Sequence, residues 1–211
     1  MTDITHPTAA EPLRRTILAM GAAAPLILAA GSGRAAPTID TTPKPDPRPD
    51  WIARGTPRGH MGDFDRLVGQ WHVKHHQLVG RLVGSTTWID FDGTSRMELM
   101  LGGFATVDDN QLHKPAGTYQ GMTLRLFDAE HSTWSVYWFD SRAVQVDTPM
   151  WGGFDGDHGV FLGDDTLDGK PIRVRFDWFI DDKDHARWEQ AFSADQGATW
   201  ETNWRMWFTR A

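Results

Sequence analysis

Residues 187–210 read RWEQAFSADQGATWETNWRMWFTR, and their alternation decides the fold. Trp188, Gln190 and Phe192 share one face of the first run, and Trp200, Thr202, Trp204, Met206 and Phe208 share one face of the second. A period of two is strand periodicity. The opposite faces carry Arg187, Glu189, Glu201, Asn203, Arg205 and Trp207, so each strand reads as half buried. SADQGAT between the runs reads as the turn of a long hairpin. An isolated hairpin is marginal in water, so the rest of the chain has to supply sheet that covers its apolar face.

The chain has 211 residues, enough for one domain with extensions. Eleven Trp stand against two Tyr, which predicts an aromatic interior with a few acceptors for indole N–H groups. A formal charge of -7 disfavours nucleic acid and anionic membrane, both of which are bound chiefly through Lys and Arg. Zero cysteines exclude disulfides and thiolate metal sites.

Residues 1–36 read as an export signal: a polar start, Arg14-Arg15, an apolar run from Thr16 to Ala30, then small residues. The apolar run is shorter than the roughly twenty residues of a membrane span and contains Gly21 and Pro25. LRRTILA resembles a twin-arginine signal, which implies a periplasmic or secreted protein, with cleavage fitting best after Ala35. No membrane insertion of the mature part is expected. Residues 37–60 hold six prolines among charged residues and read as an extended, disordered linker.

Folding is expected over 61–211. Asp63 with Phe64, Leu67 and Val68 predicts one helical turn before Gly69. Strands are then expected at about Trp71–Leu78, Leu82–Phe91, Arg96–Leu101, Gly121–Phe127, Thr133–Phe139, Met150–Phe154, Gly159–Leu162, Pro171–Ile180 and the final hairpin. Such a run without long helices predicts an all-β, up-and-down antiparallel meander of about 8–10 strands, closed into a small barrel. The alternative, an α+β cone with a curved sheet, needs long helices that the pattern does not supply.

Gly69-Gln70-Trp71, after a helical turn and opening the first strand, resembles the G-x-W signature of lipocalins. The resemblance implies that Trp71 closes the barrel base against an Arg of the last strand, Arg205 or Arg210. DFDRLVGQW, TLRLFD with TWSVYWFDS, GGFDGDHGVF and the final hairpin together resemble an uncharacterised bacterial family assigned a lipocalin-like, calycin-type barrel. That family implies a fold and no activity. Nitrobindin-like haem barrels carry their proximal His late in the barrel, where this chain has none after His185, so no haem or other cofactor is expected.

Ser193, Asp195, Gly197, Thr199 and Trp200 fit S-x-D-x-G-x-T-W, which resembles the Asp-box of sialidases. A single copy with no internal repeat reads as a structural turn, Asp195 and Ser193 bonding turn amides and Trp200 packing beneath. His72, His75 and His76 do not read as a metal site, because His72 and His76 lie about 13 Å apart along a strand and His75 faces the other way. Asp108-Asp109, Asp164-Asp165 and Asp181-Asp182-Lys183-Asp184 read as solvated turns.

Across the later strands one face collects Leu124, Leu126, Trp134, Val136, Trp138, Ile172, Val174, Phe176, Trp178, Trp188, Trp200, Trp204 and Met206, and apolar burial turns it inward. The other collects Arg125, Tyr137, Arg173, Arg175, Asp177, Arg187, Glu189, Glu201, Asn203 and Arg205, as exterior ion pairs. Inward polar exceptions are His75, Asp140, Gln190 and Thr202. The leading reading is an exported barrel that binds a small apolar or aromatic molecule among Trp138, Trp178, Trp188 and Trp204, with Gln190 and His75 as polar handles. Two others stand beside it: a lyase, isomerase or hydratase using His75 and Asp140 as acid and base, and an interaction module using the Arg/Glu face and Trp207.

Overall fold

The computed structural model describes residues 43–143 and 145–211; the segment read as an export signal lies outside them. Ten antiparallel strands follow one another in chain order: β1 (Gly69–Leu78), β2 (Trp88–Met100), β3 (Ala105–Lys114), β4 (Gly117–Asp128), β5 (Thr133–Asp140), β6 (Met150–Asp155), β7 (His158–Leu167), β8 (Lys170–Ile180), β9 (His185–Ser193) and β10 (Glu201–Arg210). Because β1 pairs with β10 as well as with β2, the sheet closes into a barrel with no free edge. This is the up-and-down barrel that the alternation predicts. The helical turn expected before Gly69 is a single 3-10 turn, Asp65–Leu67.

Two strands differ from the sequence expectation. β2 runs through Asp92-Gly93 without a turn, because Gly93 is needed inside the sheet: a Cβ there would lie 2.5 Å from the Gln111 carbonyl and 2.7 Å from His75 Nε2. β3 occupies residues that read as loop. Its inward positions are Thr106, Asp108, Asn110 and Leu112, so the apolar signal of a buried face is largely missing.

Residues 43–60 are not an extended tether in the structure. A short helix, α1 (Asp50–Gly55), follows Pro49 and buries Ile52 beside β6 and β7, with Gly55 close against Leu162. Trp51 donates its indole N–H to Asp164 at 3.2 Å and lies 3.9 Å beneath the Arg173 guanidinium. Pairing with the barrel wall compensates for the weak helical propensity of a proline-rich segment.

The lower barrel is filled by aromatic packing. Phe64 meets Trp134 and Phe154 edge to face at 5.0 and 5.3 Å, and Trp178 packs on Phe208 at 5.1 Å. The base is locked by Arg210: its guanidinium lies 3.8 Å from the Trp71 ring and donates to the carbonyls of Val68, Arg66 and Lys183. Trp71 donates its indole N–H to Leu67 at 2.8 Å. At Gly69, with φ of 122°, a side chain would meet Arg210 Nη1 at 2.7 Å. Arg205 does not take this part. It faces outward, 3.3 Å from Glu189 and over Trp88, because it sits an odd number of residues from Trp204, Met206 and Phe208 on the inward face.

Candidate functional site

Above the packed base the barrel encloses a cavity of about 170 Å³. Trp138, Trp178, Trp188, Gln190, Trp204 and His75 all line it, so the six residues singled out by the alternation converge on one space. Trp188 stands edge-on to Trp204 at 5.7 Å and beside Phe176 at 4.9 Å. Trp138 lies over Gly121, where a Cβ would fall 2.2 Å from the indole.

His75 stacks on its cross-strand partner Phe91 at 4.5 Å and accepts a hydrogen bond from Trp204 Nε1 at Nδ1, 3.2 Å away. The neutral ring therefore carries its proton on Nε2. Burial, helped by the positive charges of Lys114 and His113, pushes its pKa down to about 3 from 6.5. A group that weakly basic removes protons poorly at neutral pH. Asp140 is committed elsewhere: its carboxylate accepts from the backbone N–H and Nε of Arg142 at 2.9 and 2.8 Å, and also from Nη2. It is not among the residues lining the cavity, so the acid and base of the enzyme reading are not brought together.

Six further positions depart from the two-face pattern. Arg125 points inward and Leu124 and Leu126 outward, because Arg125 pairs with Val136 and Thr123 with Trp138. A bulge between Thr202 and Trp204 places Thr202 opposite Ala191 on the outer side and buries Asn203 completely. Asn203 Oδ1 then accepts from Gln190 Nε2 at 2.7 Å. Trp200 is also outside, under the Arg175 guanidinium at 4.9 Å and against Gly197.

Asp108 is buried rather than in a solvated turn, and forms an ion pair with Arg125 at 2.7 Å, both side chains about 5% exposed or less. It also accepts from Thr123 N at 2.8 Å and from Asn110 Nδ2. Asp108, Asn110, Thr123 and Arg125 thus form a polar wall on β3 and β4, across from the Trp-rich wall of β8–β10. Sequence reasoning misses this wall, and the available signal was the period-two spacing of Thr106, Asp108, Asn110 and Leu112.

The Ser193–Trp200 turn is held by hydrogen bonds among its own residues. Ser193 Oγ accepts from Gly197 N at 2.7 Å, while Asp195 accepts from Ser193 Oγ, Thr199 N and Thr199 Oγ1, which hold its carboxyl near 2. His76 stacks on Trp88 at 4.3 Å and lies 2.7 Å from Asp90, while His72 is exposed. Among the described residues no group of three His, Asp or Glu side chains is placed to share a metal ion, and no helix is long and apolar enough to cross a membrane. Trp207 is 41% exposed on the outer wall, between its cross-strand partners Arg187 and Lys74.

No protein-family model and no curated protein sequence matches this chain. Among solved structures, that of EF1p2_mFAP2b bound to DFHBI aligns with a TM-score of 0.39 at 10% identity, covering 72% of this chain and 100% of that one. A score at that level carries no argument about function.

Proposed function

We propose that this protein is a lipocalin-like binding barrel for a small apolar or aromatic molecule, held among Trp138, Trp178, Trp188 and Trp204 with Gln190 and His75 as polar handles. One observation carries the reading: the six side chains line a single cavity of about 170 Å³ inside a closed barrel. The volume sets the ligand's size. An apolar cavity of roughly 150 Å³ takes benzene, and drug-sized ligands occupy roughly 300 Å³ or more, so one ring with a short substituent fits. The wall offers Nε2–H of His75 as a donor. Calorimetric titration of the full chain with one-ring aromatic compounds tests the reading. Saturable binding is expected, and filling the cavity by Val174→Trp should weaken it at least about tenfold while the circular dichroism of the barrel is kept. Binding that survives the filled cavity would contradict the assignment.

The reading places the protein outside the cytoplasm, on the strength of the Arg14-Arg15 pair and the apolar run that follows. Replacing both arginines by lysine should retain the full-length chain inside the cell, where the wild type is recovered in the periplasmic fraction. Equal periplasmic recovery of the two would remove the export reading.

A further inference from the structure

Three buried polar atoms meet no hydrogen-bonding partner among the described residues: Nε and Nη1 of Arg125 and Oγ1 of Thr106. They belong to one cross-strand pair, since Thr106 of β3 sits opposite Arg125 of β4. Burying such groups unsatisfied is costly, more so for a charged one, so their clustering calls for an explanation. Arg125 lines the cavity, and its guanidinium is held in place from two sides. Nη2 donates to Asp108 at 2.7 Å, and the Phe64 ring lies 4.8 Å from Cζ. Asp108 is itself fixed by Thr123 and Asn110, so it orients the guanidinium and leaves two N–H donors uncommitted.

We infer that Arg125 reads a hydrogen-bond acceptor on the ligand, and that the ligand is a neutral molecule carrying a carbonyl-type oxygen rather than a hydrocarbon or a carboxylate. This rests on the binding-barrel reading and narrows it. The charge follows from the wall: Asp108 already neutralises Arg125, and a ligand carboxylate would add a second buried anion against one cation. His75, the other basic side chain lining the cavity, is held uncharged and cannot balance it. Three further carboxylates, Asp147, Asp164 and Asp165, also line the cavity and disfavour a ligand anion, while Lys114 is drawn over Phe91 and Arg142 is paired to Asp140. Selection among neutral molecules therefore falls to Arg125, and the aromatic wall supplies the remainder of the contact.

Three compounds of matched shape test it by calorimetry on the full chain: acetophenone, isopropylbenzene and benzoate. Acetophenone is expected to bind at least about tenfold more tightly than either of the others, the worth of one charge-assisted hydrogen bond. Arg125→Lys keeps a cation beside Asp108 but withdraws Nε and Nη1, and should erase the preference of acetophenone over isopropylbenzene. Should that variant not fold, the carbonyl stretch of bound, ¹³C-labelled acetophenone in the wild type decides: it should lie below its position in an alkane solvent. Equal affinities of acetophenone and isopropylbenzene, a preference that survives Arg125→Lys, or an unshifted carbonyl band would overturn the role of Arg125. Benzoate binding most tightly would overturn the neutral ligand. Failure of all three compounds to bind would overturn the binding-barrel reading itself.

Discussion

At the scale of single residues, the two arginines of β10 show how position in the alternation decides worth. Arg210 donates to three carbonyls and covers Trp71, so Arg210→Ala should destabilise the barrel by about 2–3 kcal/mol in urea unfolding. Arg205 makes an exposed pair with Glu189, and Arg205→Ala should cost less than about 1 kcal/mol. The reverse order would place the base lock elsewhere. His75 gives a pH signature. Its folded pKa is lowered to about 3 by burial, so between there and 6.5 the unfolded chain takes up a proton that the folded chain refuses. Stability is full above 6.5 and falls as the pH drops, by up to about 1.4 kcal/mol per pH unit from this group. His131 is shifted the other way by Asp128 and is common to wild type and variant, so a comparison isolates His75. His75→Gln, which keeps an acceptor for Trp204, should flatten the acid limb of urea midpoints measured from pH 7 to 5. An unchanged limb would mean that His75 titrates normally.

At the scale of elements, legibility followed hydrophobic contrast. The hairpin β9–β10 was readable because Trp188, Trp204, Met206 and Phe208 alternate with charges, and the same period on β1, β5 and β8 puts His75, Trp138 and Trp178 on one cavity with Trp188, Gln190 and Trp204. β3 and the inward face of β4 were not readable for the opposite reason. Where a strand lines a polar wall, its inward residues are Thr106, Asp108, Asn110, Thr123 and Arg125, and the hydrophobic sign of the pattern is inverted or lost. Apolar bias then assigned Leu124 and Leu126 to the interior. The bulge in β10 was equally hidden, since one extra residue leaves no mark on composition while it moves Asn203 into the core and Thr202 out of it. Asn203 is the acceptor for Gln190, so Asn203→Ala should cost about 1–3 kcal/mol in urea unfolding and loosen Gln190 in the cavity wall. A loss below about 0.5 kcal/mol would show that the bulge stands without this bond.

At the scale of the whole molecule, closure of ten strands removes every sheet edge and leaves an interior whose two walls differ in chemistry. Tryptophans of β5 and β8–β10 offer apolar area, and β3–β4 offer the oriented Asp108–Arg125 pair. A filled base below and a space of about 170 Å³ above suit a ligand of one ring. The most direct measurement follows the tryptophan indole N–H signals by ¹⁵N–¹H correlation spectroscopy while acetophenone is added to the full chain. The account predicts saturable shifts for Trp138, Trp178, Trp188 and Trp204, with Trp88 and Trp207 unmoved on the outer surface. Shifts confined to the outer tryptophans, or none that saturate, would contradict a ligand inside the barrel.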